Sequence, residues 1–140
     1  MDRLAPVQSN ARILVVDDSP EVRRALLQVL LRSGYYRAET ARDTLDAARQ
    51  LALWGGGELL LIDVTLTGDP TPNGCRAAAA LVRHWAGLRV LFLSGYDALD
   101  LRDLCPPDIP FLRKPASVPL ILARVAAVLA APPWIPPEDL

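Results

Sequence analysis

The chain has 140 residues, 51% of them hydrophobic and 22% charged, with 15 basic against 16 acidic side chains for a net charge of −1. That is the composition of one soluble globular domain with room for a real core. The fourteen arginines are scattered, which excludes the basic footprint of a nucleic-acid binder. The longest apolar region, Val118 to Leu129, covers 12 residues and is interrupted by Arg124, short of the roughly 20 that span a bilayer. Residues 1–10 hold no apolar segment behind a charged start, so no signal peptide is read and a cytoplasmic protein is expected. Cys75 and Cys105 form neither a CxxC pair nor a framework. In a reducing compartment they are expected to be buried or idle thiols without a role.

After a short polar leader, residues 1–10, the uninterrupted apolar run of Arg12 to Val16 predicts a central strand of a parallel sheet. Ser19 is placed to cap a helix with Pro20 and Glu21 in its first turn. Val22, Ala25, Leu26, Val29 and Leu30 form its apolar stripe, and Ser33-Gly34 ends it. Tyr35 to Glu39 is expected as a weaker strand towards the sheet edge. Asp43 or Thr44 caps a second helix running to about Trp54, with Leu45, Ala48 and Ala52 facing inward, before three glycines stop it. Leu59 to Val64 reads as a strand buried on both faces with Asp63 at its carboxyl end. Thr65 to Gly74, with two prolines and two glycines, is a loop.

Asn73-Gly74 opens an alanine-rich helix from Cys75 to Trp85. Arg89 to Leu93 is a fourth strand, and Asp97 to Leu104 leaves room for two turns of helix before Pro106-Pro107. Pro110 to Leu112 is a short fifth strand. A last helix starts near Ser117 with Ile121, Val125, Val128 and Leu129 inward, and the proline-rich residues 132–140 form an extended tail. Strand and helix alternate five times. The expected class is therefore α/β, a (βα)5 chain with a parallel sheet, helices on both faces and right-handed crossovers, in one domain over 11–131.

Ligands of open α/β sheets bind at the carboxyl ends of the strands. Asp17, Asp18 and Asp63 stand at two such ends and form a set of hard oxygen ligands whose mutual repulsion a divalent cation would compensate. Mg2+ suits them better than Ca2+, because it takes few carboxylates and shares its other positions with water and phosphate oxygens. Lys114 is the single lysine of the chain. A sequence that otherwise uses arginine points here to a need for a compact ammonium. Its bond to Pro115, directly after a strand, is a candidate for the cis form. Ser94, next to Gly95, offers a hydroxyl at the end of the fourth strand. His84, beside Trp85, reads as a residue at the rim of a helix rather than a catalyst. There is no Walker loop and no GxGxxG fingerprint.

Four motifs stand in a familiar order: Leu14-Val15-Val16-Asp17-Asp18, Leu60-Leu61-Ile62-Asp63-Val64, Leu93-Ser94-Gly95-Tyr96 and Phe111-Leu112-Arg113-Lys114-Pro115. Together they resemble the receiver domain of two-component response regulators, over residues 11 to 131. The resemblance implies a doubly wound, flavodoxin-like sheet of order 2-1-3-4-5 and a bacterial signalling protein. It implies that Asp63 is the phosphoacceptor, attacking a phosphohistidine of a sensor histidine kinase or phosphotransfer protein. Asp17 and Asp18 would ligate Mg2+ with Asp63 and the backbone carbonyl of Thr65. Ser94 and Lys114 would each hold a phosphoryl oxygen, and Phe111 would rotate as Ser94 moves inward. Thr65 and Tyr96 would flank the aspartyl phosphate and set its lifetime. The phosphate would be lost by self-catalysed hydrolysis, with no separate substrate turned over.

Three features depart from the family pattern. Thr67 replaces a usual proline, the loop before Gly74 is about three residues longer with a shortened helix over 97–104, and Phe111 lacks the hydroxyl of a tyrosine. The leading expectation is a stand-alone receiver, monomeric or weakly dimeric, that signals to a downstream protein and touches neither nucleic acid nor membrane. The alternatives are a phosphorylation-independent interaction module, a receiver fragment of a hybrid histidine kinase, and, more distantly, a small flavodoxin-like enzyme.

Overall fold

The computed structural model describes residues 9–66, 73–95, 105 and 109–140. Five strands, β1 (Ile13–Val16), β2 (Glu39–Ala41), β3 (Leu59–Asp63), β4 (Arg89–Ser94) and β5 (Phe111–Arg113), form one sheet of order β2-β1-β3-β4-β5. Every neighbouring pair is parallel. Four helices are described: α1 (Pro20–Arg32), α2 (Thr44–Trp54), α3 (Gly74–His84) and α4 (Val118–Ala130). The expected helix over 97–104 falls outside the described residues. Among those residues no helix is long and apolar enough to cross a membrane.

The unbroken apolar runs have a simple cause. Successive side chains of a strand point to opposite faces, and here both faces are covered. Ile13, Val15, Leu59, Leu61, Leu91 and Leu93 meet Leu26 and Leu30 of α1 and Ile121 and Val125 of α4. Leu14, Val16, Leu60, Ile62, Val90 and Phe92 meet Ala47 and Leu51 of α2 and Ala77, Ala78 and Leu81 of α3. Each helix starts on a side-chain cap: the Ser19 hydroxyl accepts from the Val22 N–H, Asp43 from Asp46, Asn73 from Cys75 and Arg76, and Ser117 from Leu120. Gly55 ends α2 at φ 75°, a conformation that suits glycine.

Three expectations need correction. The second strand lies at Glu39–Ala41 and shares only Glu39 with the expected span Tyr35 to Glu39. Tyr35 instead opens a turn whose carbonyl accepts from the Ala38 N–H at 3.2 Å. In α2 the buried residues are Ala47 and Leu51, with the expected Ala48 partly buried against the same cluster, while Ala52 is exposed and Leu45 is 62% exposed. The third concerns the cysteines, which are joined as a disulfide with Cα atoms 5.7 Å apart. Cys75 opens α3 and Cys105 lies between β4 and β5, on the same face of the sheet. They are 30 positions apart, so no local spacing announces the pair. Closing a loop of that length stabilises the fold by about 3.7 kcal/mol through the unfolded chain. Reduction with dithiothreitol should therefore lower the midpoint of urea unfolding, and Cys75→Ala/Cys105→Ala should show the same loss without reductant.

Candidate functional site

The strand order reverses between β1 and β3, and the carboxyl ends of those two strands form the crevice where ligands of such sheets bind. Asp17 and Asp18 follow β1, and Asp63 ends β3. One carboxylate oxygen from each lies within 4.8 Å of the others. Asp17 is fully buried, Asp63 is 8% exposed, and Asp18 faces solvent.

Backbone geometry orients the two buried acids. The Ser19 N–H donates to Asp17 Oδ1 at 2.9 Å, and the Thr65 N–H donates to Asp63 Oδ1 at 3.0 Å. Arg23, a residue that the motif reading passed over, donates from α1 to the Asp17 carbonyl at 2.6 Å. The second oxygens, Asp17 Oδ2 and Asp63 Oδ2, each accept from Lys114 Nζ at 3.0 Å. Lys114 follows β5, and the Lys114–Pro115 peptide bond is cis. The lysine stem runs along an apolar cavity of about 220 Å3 between α1, β4, β5 and α4, lined by Leu26, Leu93, Leu112 and Ile121. Stem and ammonium thus serve different neighbours.

The electrostatics follow from burial and from this shared cation. Burial pushes the Asp63 carboxyl above its ordinary value. The Thr65 N–H and the hydrogen bond and charge of Lys114 pull it down, while the charge of Asp17 pushes it up again. Burial alone would lower the Lys114 ammonium, but hydrogen bonds and charges from Asp63 and Asp17 outweigh it and raise the group.

Ser94 ends β4 and is buried, and its carbonyl accepts from the Lys114 N–H at 2.6 Å, which ties the hydroxyl-bearing strand end to the lysine. Phe111 opens β5 on the face shared with Phe92. Tyr96 and Thr67 lie outside the described residues. His84 ends α3 just before the amino end of β4, edge-on to Trp85 with ring centroids 4.7 Å apart, at the end of the sheet opposite these acids.

Gly74 is the residue whose importance the sequence signalled least. A Cβ built there would lie 1.9 Å from the Asp63 carbonyl oxygen, and the Gly74 N–H donates to the Val64 carbonyl at 2.5 Å. The start of α3 therefore closes directly onto the backbone that carries Asp63. The only hint was a glycine immediately after the Asn73 cap.

Comparison with known proteins agrees with this geometry. The response regulator receiver domain family matches residues 13–125. Chemotaxis protein CheY of Treponema pallidum is 31% identical over 121 residues, 84% of this chain and 82% of that protein. Among solved structures, the CheX–CheY–BeF3–Mg2+ complex from Borrelia burgdorferi matches with a TM-score of 0.70 at 22% identity, over 85% of this chain and 89% of that one. A response regulator receiver protein from Sinorhizobium medicae gives 0.71 at 20%, over 85% and 94%. These two likenesses establish the fold, and the sequence match over most of the chain carries the kinship further: the protein belongs to the response regulator receiver domain family of two-component signalling.

Proposed function

We propose that the protein is a phosphorylation switch in which Asp63 accepts a phosphoryl group from a phosphohistidine of a sensor histidine kinase or a histidine phosphotransfer protein. An Oδ atom of Asp63 attacks phosphorus, the bond from phosphorus to the donor imidazole nitrogen breaks, and the electron pair stays with the imidazole. The observation that carries the reading is one cluster of three carboxylates at the switch point of the sheet, two of which, Asp17 and Asp63, are bridged by one ammonium.

The donor set fits Mg2+: three hard carboxylate oxygens whose repulsion a single lysine only partly compensates. Asp17, Asp18 and Asp63, with the carbonyl of Thr65, are the residues that would hold it. Bound there, the ion supplies positive charge against the phosphoryl oxygens. The work of this chain's own residues is positioning. The Thr65 N–H fixes the Asp63 carboxylate, Ser94 offers a hydroxyl to one phosphoryl oxygen, and Lys114 transfers its ammonium from the carboxylates to another. Ser94 and Phe111 then carry the change to the β4–β5 face, where a downstream protein reads it. Thr65 and Tyr96 are the residues to which this reading assigns the survival of the acyl phosphate before self-catalysed hydrolysis. The cytoplasm is the compartment this reading requires.

Intact mass after incubation with acetyl phosphate tests the reading. A gain of one phosphoryl group that needs Mg2+ and does not form when EDTA is present throughout the incubation is expected. No adduct at any time point, even with saturating Mg2+, would overturn it.

A further inference from the structure

Residues 132–140 have no regular secondary structure, yet they are firmly seated. The last helix, α4, packs on the α1 side of the sheet. At its end the Ala131 carbonyl accepts at 2.6 Å from Nε of Arg89, the first residue of β4. From there the chain crosses to the opposite face. Trp134 stands edge-on to Phe92, with ring centroids 5.2 Å apart and planes at 86°. Leu140 packs against the same apolar cluster. Arg83 of α3 holds the segment with two donors, 2.6 Å to the Pro137 carbonyl and 2.7 Å to the Leu140 backbone oxygen. Four prolines in this segment restrict the free chain and lower the entropy lost on seating it. A segment without regular structure stays in place only when tied down; this one is tied at three backbone oxygens and one aromatic ring.

The ring it touches matters. Phe92 is fully buried, and its register partner on β5 is Phe111. Trp134, Phe92 and Phe111 therefore belong to one packed cluster on one face. Close packing does not let one wall of such a cluster move while the others stay.

We propose that residues 132–140 are an intramolecular strap, seated by Trp134 and Arg83 on the face of α3, β4 and β5, that holds Phe111 in its present place and is released when Asp63 is phosphorylated. The proposal rests on Asp63 being the phosphoacceptor. The seat that release uncovers is apolar at Phe92 and flanked by Arg83 and Arg89, which donate to backbone oxygens. The strap that fills it, an extended and proline-flanked aromatic segment, is its natural occupant. Linkage then requires reciprocity: a strap that binds the unmodified state must weaken the site's hold on a phosphoryl group by the same factor that the group weakens the strap.

The test uses the full chain labelled with fluorotryptophan and read by fluorine NMR, the Trp134 signal being the one absent from Trp134→Phe. Beryllium trifluoride with Mg2+ is the probe for the phosphoryl group, its affinity measured by calorimetry. On binding, the Trp134 signal should move towards its position in a free peptide of residues 132–140, and Trp134→Ala should bind the probe about fivefold more tightly or better. A Trp134 signal already at the free-peptide position in the unmodified chain overturns the strap, whatever Asp63 does. Probe binding with Trp134 unmoved and affinity unchanged also overturns it and leaves the phosphoacceptor reading intact. Failure of the probe to bind sinks the phosphoacceptor reading and, with it, release by phosphorylation; the hold on Phe111 is then judged by Phe111→Ala, where an unmoved Trp134 signal rejects that too.

Discussion

Asp63→Asn is expected to take up no phosphoryl group from acetyl phosphate and Mg2+, while folding at least as stably as the parent chain without Mg2+. The amide oxygen still accepts from the Thr65 N–H, which donates to Asp63 Oδ1 at 3.0 Å, so the local turn survives. What disappears is the anionic nucleophile. Stability follows from the sign of the carboxyl shift: burial raises the Asp63 carboxyl above its unfolded value. A carboxyl of that kind costs folding free energy once it is ionised, so at neutral pH its neutral replacement removes that cost, while the Lys114 ammonium keeps its bond to Asp17 Oδ2 at 3.0 Å. The neighbouring acid behaves differently. Asp17→Asn keeps the nucleophile and should accept phosphate, but at a Mg2+ concentration higher by about tenfold or more, since even partners that only orient a ligand are worth 10–100-fold in metal affinity. Intact mass across a Mg2+ titration reads both variants. An adduct on Asp63→Asn would move the acceptor to another residue.

Gly74→Ala should destabilise the fold by about 3 kcal/mol, at the upper end of what overpacking usually costs. For a domain of this size that is a fall of roughly 10 °C in thermal midpoint. The added methyl group would sit 1.9 Å from the Asp63 carbonyl oxygen and 2.9 Å from both the Asp63 carbonyl carbon and the Val64 Cα. All three are backbone atoms, so no side-chain rotation relieves the clash. Either α3 retreats from the sheet, giving up buried Cys75, Ala77 and Ala78, or the strand end moves and takes the acceptor with it. Gly95→Ala is the control, since a Cβ there meets nothing within 4 Å. Calorimetry on the pair separates the two cases. Equal midpoints would show that the start of α3 shifts freely.

How much of this was legible depended on whether the signal was local. Four of the five strands were readable, because burial on both faces leaves a run such as Leu59-Leu60-Leu61-Ile62 with no polar interruption. The site acids and Lys114 were readable because strand ends, turns and a solitary lysine are short-range features. The second strand slipped because Tyr35 is aromatic and buried, as a strand residue would be, yet serves a turn. In α2, Leu45, Ala47, Ala48, Leu51, Ala52 and Leu53 offer two competing apolar stripes, and propensity alone does not choose between them. The disulfide and the seated tail left no trace at all. The first joins residues 30 apart, and the second is held by arginines on backbone oxygens, which any sequence supplies.

A chain with one lysine has one side-chain amine. Acylating reagents that spare guanidinium groups thus find a single side-chain target, and it stands between Asp17 and Asp63. Its ammonium is held in the protonated, unreactive form by those carboxylates. The rate at which Lys114 is labelled becomes a direct reading of how tightly the two acids grip it. Whatever loosens that grip, a cation taking over the carboxylates or a phosphoryl group drawing the ammonium away, is recorded at one covalent position. The composition that made this residue conspicuous in the sequence also makes it the protein's own chemical gauge of its site.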